Sequence, residues 1–207
     1  MHRPEGAPRP PSLYERAVWE VGAGADVVAV PACPVCDAVA ARARFGIEGL
    51  ESQLVVCAGC GTGRVHPRPD AAALRELYPP SYYGDLGRKF RAPIEPLVRW
   101  VGDRHAAFLA RGLGSGRVLD VGCGRGVILR ALADRGLEAH GFEVSEAATR
   151  GADPRAKIRV AESLEQAGYP DAHFDRVVVW HVLEHVPDPR AALDTVRRIL
   201  RPGGRLV

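Results

Sequence analysis

The 207-residue chain is 46% hydrophobic and 26% charged, with a net charge of +3, the profile of a folded protein with one ordinary core and a small satellite. No apolar run approaches the ~18 residues of a membrane span, and MHRPEGAPRPP at the N-terminus has no apolar stretch behind its basic residues, so a cytoplasmic protein is expected. The arginines are scattered instead of striped, which argues against a nucleic-acid partner, and with Lys89 and Lys157 the only lysines among 28 basic residues their excess reads as coding bias.

Residues 1–30 read as a flexible N-terminal segment. Two identical units follow, CPVC (Cys33, Cys36) and CAGC (Cys57, Cys60), with 20 residues between them. A tetrahedral zinc site takes four thiolates, and each CxxC turn presents two. Gly61 suits the second turn, and ESQLVVC between the pairs reads as a short strand. Residues 31–68 are therefore expected to form a zinc ribbon, whose metal replaces the apolar core that a ~40-residue unit cannot supply. Two redox dithiols, a disulfide pair and iron–sulfur ligation compete for the same cysteines. The missing export signal weighs against disulfides, and a redox CxxC usually comes singly before a helix.

Residues 69–112 read as a helical connector. Asp70 is the expected N-cap of a helix ending near Tyr78, where Pro79 and Pro80 stop it. Tyr82 and Tyr83 follow, either packing against the next domain or closing over a ligand. LVRWVGDRHAAFLA, from Leu97 to Ala110, repeats apolar residues at helical spacing until Gly112, Gly114 and Gly116 interrupt it.

Residues 113–207 alternate strands and helices. Strands are expected at Arg117 to Val121, Glu138 to Phe142, Lys157 to Val160 and Phe174 to Trp180, with a fifth beginning at GRLV, where the sequence stops. Helices are expected at Val127 to Arg135, briefly from Ser145, and from Asp188 to Leu200, closed by RPGG. The apolar, β-branched FDRVVVW suits a central parallel strand. The alternation implies an α/β fold, a parallel sheet with helices on both faces.

The loop after the first of these strands is VLDVGCGRG. It fails the dinucleotide pattern G-x-G-x-x-G, because the third glycine comes one residue early, and no GK[ST] follows to make a phosphate loop. Asp120 would be misplaced beside a pyrophosphate and well placed beside a cationic or amine-bearing ligand.

VLDVGCGRG resembles the glycine-rich motif of the seven-stranded, class I methyltransferases that use S-adenosylmethionine. GFEVS, FDRVVVWHVLEHVPDP and LRPGGRLV are similar to their second motif, fourth strand with its loop, and turn into the fifth strand. The cysteine pairs followed by HPRPDAAALRELYPPSYYG resemble a subgroup with an N-terminal zinc-binding unit. This resemblance implies a Rossmann-like sheet binding S-adenosylmethionine, behind a structural zinc. It assigns Asp120 and the loop of Gly122, Cys123, Gly124 and Gly126 to the amino-acid end of the cofactor. It assigns Glu143 to the ribose hydroxyls, which a carboxylate can accept in pairs, and Glu162 to the region of the adenine. A solvated acid at a helix start is an equal reading of Glu162, and a small filler is one of Cys123.

A sulfonium methyl group needs a positioned nucleophile, and an oxygen or carbon acid needs a base as well. WHVLEH supplies His181, Glu184 and His185, with His181 expected nearest the crevice and the other two equally able to orient the loop. HVLEH also spells a zinc-protease pattern, but a β-branched strand runs straight into Trp180 and Pro187 follows, where that chemistry needs a sustained helix. Seven strands would need sequence beyond Val207, so a fragment or a truncated copy is expected, with an exposed parallel edge. The first reading is methyl transfer to a small-molecule acceptor at oxygen, nitrogen or carbon. The alternatives are a methyltransferase acting on RNA, DNA or protein with the ribbon as docking module, and a truncated cofactor-binding protein without activity.

Overall fold

The computed structural model describes residues 27–47, 51–70 and 94–207, and the chain divides into two compact units, Met1–Asp70 and Ala71–Val207. The expected N-terminal segment up to residue 26, the helix from Asp70 to Tyr78 and the connector with Tyr82 and Tyr83 lie outside the described residues. Among the described residues, no helix is long and apolar enough to cross a membrane.

The first unit is a four-stranded antiparallel sheet, β1 (Val27–Ala29), β2 (Ala40–Gly46), β3 (Gln53–Cys57) and β4 (Gly63–His66), paired in chain order. Its apolar core is the small cluster of Val30, Ala41 and Val55, with Val28 against it. So few buried side chains cannot by themselves offset the entropy of ordering the unit. Hydrogen bonds in the turns add to the contribution of that core. Cys33 N–H donates to the Ala38 carbonyl at 2.9 Å and Gly61 N–H to the Cys57 carbonyl at 3.0 Å. The Arg64 guanidinium donates to the carbonyls of Pro31 and Ala32, tying β4 to the first cysteine turn.

The second unit is a parallel, Rossmann-like sheet flanked by helices. Its strands are β5 (Arg117–Val121), β6 (Glu138–Glu143), β7 (Lys157–Val160), β8 (Phe174–Val179) and β9 (Leu200–Leu206), ordered β7-β6-β5-β8-β9. The helices are α1 (Glu95–Leu109), α2 (Val127–Ala133) and α3 (Pro189–Ile199). Strand alternation sorts the core into two layers. Val118, Ala139 and Val178 pack with Leu129 and Leu132 of α2 and with Ala106 and Leu109 of α1. Leu119, Val121 and Val177 pack with Val196 and Ile199 of α3 and with Tyr169. The central strands are apolar on both faces because both faces are covered.

The helix assigned above to a connector is thus part of the sheet's own packing. Gly102 lets it approach α2 closely, since a Cβ there would stand 2.6 Å from Val127 Cγ1. Its C-terminal end is plugged by the buried Arg176 of β8, whose guanidinium donates to the carbonyls of Phe108, Leu109 and Arg111. A helix end leaves such acceptors without intrahelical partners, and of the three only the Phe108 carbonyl also takes a backbone donor, Arg111 N–H at 3.3 Å. Asp188 caps α3, accepting from the N–H groups of Arg190 and Ala191 at 3.0 Å each.

Most element boundaries fall within two residues of expectation, and three differences have a clear local cause. α2 stops at Ala133, before Arg135, because the chain turns through Gly136 at a φ of 75°. The segment after Ser145 forms only a 3-10 turn, Glu146–Thr149. The fifth strand begins at Leu200 instead of Gly204: Leu200 already pairs with Phe174, and RPGG is absorbed as an irregularity with Gly203 at a φ of 78°.

Candidate functional site

The order β7-β6-β5-β8-β9 reverses direction beside β5, and ligands of open parallel sheets bind beyond the carboxyl ends of the strands at such a point. Asp120, the glycine loop, Glu143 and the segment after β8 all belong to those ends. Gly122, Gly124 and Gly126 have φ values of 71°, 50° and 72°, a left-handed path that side-chain-bearing residues rarely follow. The inner lip of the loop is pinned to β6. Gly122 and Cys123 N–H both donate to the Phe142 carbonyl, at 2.8 and 3.1 Å, and Gly124 N–H donates to Glu143 Oε2 at 2.9 Å.

Two glycines are required for space as well. A Cβ on Gly122 would lie 2.4 Å from Val182 Cγ2, so the segment after β8 folds directly over the loop. A Cβ on Gly141, within β6, would lie 2.6 Å from Cys123 Sγ and 2.8 Å from Leu129 Cδ1. The half-buried Cys123 thiol therefore seats the loop on a strand position that has no side chain, and burial pushes its pKa up, with Asp120 and Glu143 adding to the shift.

Asp120 and Glu143 are both buried. Glu143 is well solvated by the backbone: besides Gly124, Val144 and Ser145 N–H donate to its Oε1 at 2.9 and 3.2 Å. Oε1 is thereby filled with two donors, whereas Oε2, with Gly124 N–H alone, keeps a lone-pair site for a hydroxyl. Asp120 accepts no side-chain hydrogen bond among the described residues. Burial, and then the charge of Glu143, push its carboxyl up to about 7. A cation placed beside it would favour the ionised form and oppose this shift.

The remaining expected residues are more exposed. Glu162 is exposed just beyond β7, one residue after Ala161, whose N–H donates to the Glu143 carbonyl at 3.2 Å. His181 lies two residues past β8 at a φ of 53°, its side chain 98% exposed, with Nδ1 3.8 Å from Glu184 Oε1. Glu184 and His185 are exposed within a 3-10 turn, Leu183–His185. This turn, and the stop at Val186 and Pro187, leave no helix to carry a zinc-protease pair. Trp180 turns toward α1, its ring centroid 4.5 Å from that of His105.

The sequence reading missed Val182, Gly141 and the pair Glu95–Arg125. Gly141 is visible as a lone glycine inside a strand pattern, a sign of close backbone approach, whereas nothing in the sequence joins Glu95 to Arg125.

In the first unit the ligand atoms of Cys33, Cys36, Cys57 and Cys60 all lie within 4.8 Å of one another. Sγ–Sγ distances are 3.7 Å for Cys33–Cys60 and 3.6 Å for Cys36–Cys57. A disulfide needs ~2.05 Å, whereas four thiolates at ~2.3 Å from a tetrahedral zinc stand ~3.8 Å apart. The donor set and its spacing therefore fit zinc. The Thr62 hydroxyl and N–H draw the Cys60 thiol down to about 6, and Gly59 N–H donates to Cys57 Sγ at 3.3 Å.

The family described as Methyltransferase domain matches residues 94–207. A ubiquinone biosynthesis O-methyltransferase of Alkalilimnicola ehrlichii is 38% identical over 103 residues, covering 46% of this chain and 42% of that protein. One of Pseudomonas aeruginosa is 32% identical over 121 residues, covering 55% and 50%. The chain thus spans half or less of the length of these relatives. A SAM-dependent methyltransferase of Archaeoglobus fulgidus of known structure is 24% identical, with a TM-score of 0.46 over 53% of this chain and 51% of that one.

Proposed function

The chain belongs to the methyltransferase-domain family, and from that premise we propose that it serves S-adenosylmethionine-dependent methyl transfer to a small-molecule acceptor. The observation that carries the reading is the buried Asp120 carboxyl, which lacks a side-chain hydrogen-bond partner among the described residues and is pushed up to about 7 beside Glu143. A site that holds two acids together behind a bare loop favours a ligand with positive charge and hydroxyls, and disfavours a pyrophosphate.

When bound, the cofactor supplies an electrophilic methyl group on a sulfonium. The protein's residues supply position. Asp120 would hold the ammonium of the cofactor's amino-acid end, and the loop of Gly122, Cys123, Gly124 and Gly126 would admit it, its one thiol being seated on Gly141. Glu143 accepts from the ribose hydroxyls while its backbone donors hold it still. Glu162, beyond β7, borders the adenine. On the acceptor side stand His181, Glu184 and His185, with His181 the candidate base and Glu184 and His185 orienting the loop that carries it. The names of the relatives support oxygen as the acceptor atom, and a hydroxyl needs a base to become a good nucleophile.

In this reading residues 31–68 form a zinc ribbon, with Cys33, Cys36, Cys57 and Cys60 holding one structural zinc. Residues 113–207 carry the cofactor domain. Calorimetric titration of the protein with S-adenosylmethionine, S-adenosylhomocysteine and NAD tests the cofactor assignment. Binding of both sulfur ligands with no response to NAD is expected, and the reverse pattern refutes it. Replacing His181 by Ala should leave cofactor Kd unchanged and slow single-turnover transfer by about 10²–10⁴-fold.

A further inference from the structure

The inner lip of the glycine loop is pinned to β6 through Phe142 and Glu143, but its outer lip needs a separate anchor. Arg125, between Gly124 and Gly126, extends its guanidinium to Glu95 in the first turn of α1. Nη1 donates to Oε1 at 2.8 Å and Nη2 to Oε2 at 3.0 Å. Both side chains are only 20% exposed, and Arg99 Nε lies 3.7 Å from Glu95 Oε1, completing a small charged network. Exposed ion pairs are weak because water screens them and long side chains must be ordered. This pair differs in both respects: the planar fork meets the carboxylate with two parallel bonds, and most of each group is withdrawn from water.

Its position gives it a specific consequence. Arg125 is flanked by two residues in left-handed conformations, at φ values of 50° and 72°, where the chain has the greatest freedom to leave the observed path. A loop that samples other paths must be reordered when ligand binds, and affinity falls accordingly. α1 is itself fixed at its far end by Arg176, so Glu95 is a firm anchor. We propose that Glu95 and Arg125 form a positioning pair that holds the glycine loop open in its ligand-ready path, by tying it to α1. This inference rests on the cofactor reading above. Neither residue is assigned a contact with the reacting atoms.

The test is a double-mutant cycle on cofactor affinity, read with S-adenosylhomocysteine by calorimetry on the full chain. Arg125→Ala and Glu95→Ala should each weaken binding by about 5–20-fold, and the double variant should be no weaker than either alone. Arg125→Lys, which keeps the charge without the fork, should recover part of the loss. Hydrogen exchange should speed up at residues 123–126 in the variants, with β5 and β8 still protected. Glu95→Gln provides a milder perturbation should an alanine variant fold poorly, with a loss of about 2–5-fold expected. Unchanged affinity in folded Arg125→Ala, or losses that simply add in the double variant, overturns the pair's role while leaving the cofactor reading intact. Failure of the parent protein to bind S-adenosylhomocysteine overturns the cofactor reading, and the pair's proposed role with it.

Discussion

Replacing Asp120 by asparagine should make the protein more stable and less able to bind its ligand. The carboxyl is 6% exposed and is shifted from an ordinary 3.8 to about 7, first by burial and then by Glu143. Between those two values the unfolded chain has released the proton and the folded one retains it. The unfolded state then binds fewer protons, so stability falls as pH rises through this window and is level above it. At ~1.4 kcal/mol per pKa unit the whole shift corresponds to about 4 kcal/mol, an upper bound that relaxation and water entry reduce to about 1–3 kcal/mol. Asparagine has nearly the same shape and no charge. The unliganded variant should therefore gain about 1–3 kcal/mol over the parent at pH 8 and nothing near pH 4. Urea unfolding of both proteins at pH 4, 6 and 8, followed by circular dichroism, measures the difference directly. In the same preparations the variant should lose at least tenfold in affinity for S-adenosylmethionine at pH 8, because the cation loses its counter-charge. A variant destabilised equally at every pH would refute the account, since it would show Asp120 to be a stabilising structural acid.

Three further outcomes follow from the same geometry. Cys57→Ser should abolish the one zinc per chain expected by elemental analysis of the parent and disorder the first unit, leaving the melting of the second in place; an ordered first unit without metal would contradict this. Gly122→Ala should cost about 1–3 kcal/mol through its left-handed φ and its collision with Val182, measured by thermal unfolding, and a second change, Val182→Ala, should restore only the part due to collision. Arg176→Leu should cost about 2–4 kcal/mol, seen as a lower urea midpoint, because it removes the donor to the carbonyls of Leu109 and Arg111.

The parallel sheet was legible because its strands carry two strong signals, β-branched apolar runs such as FDRVVVW and a glycine-rich break after the first strand. Asp120 and Glu143 came from the resemblance of VLDVGCGRG and GFEVS to the family's motifs, and the structure has both near the carboxyl ends of their strands. Boundaries were less legible where tertiary pairing overrides local chemistry: RPGG reads as a stop, yet Leu200 pairs with Phe174 before it and Arg205 with Arg176 after it. The role of α1 was hidden for a related reason. Its exposed Leu97, Trp100 and Phe108 advertise an apolar helix without saying which neighbour buries Ala106 and Leu109. Arg176 was the least legible of all, because an arginine inside a strand gives no hint that a helix end 65 residues or more away supplies its acceptors.

Gly141 shows what this means for recognising functional positions. Its backbone is ordinary extended strand, so its own conformation does not demand glycine. The demand comes from above, where Cys123 Sγ, Leu129 Cδ1 and Ile158 Cγ1 would stand 2.6, 2.8 and 3.1 Å from any Cβ. A saturation scan should therefore find this mid-strand position as intolerant as the loop glycines, although it is separated from the crevice by the loop itself. Even alanine would act as a wedge, lifting the loop by its cysteine. The path of the loop thus depends on a layer beneath it, on a floor that contributes only by being absent.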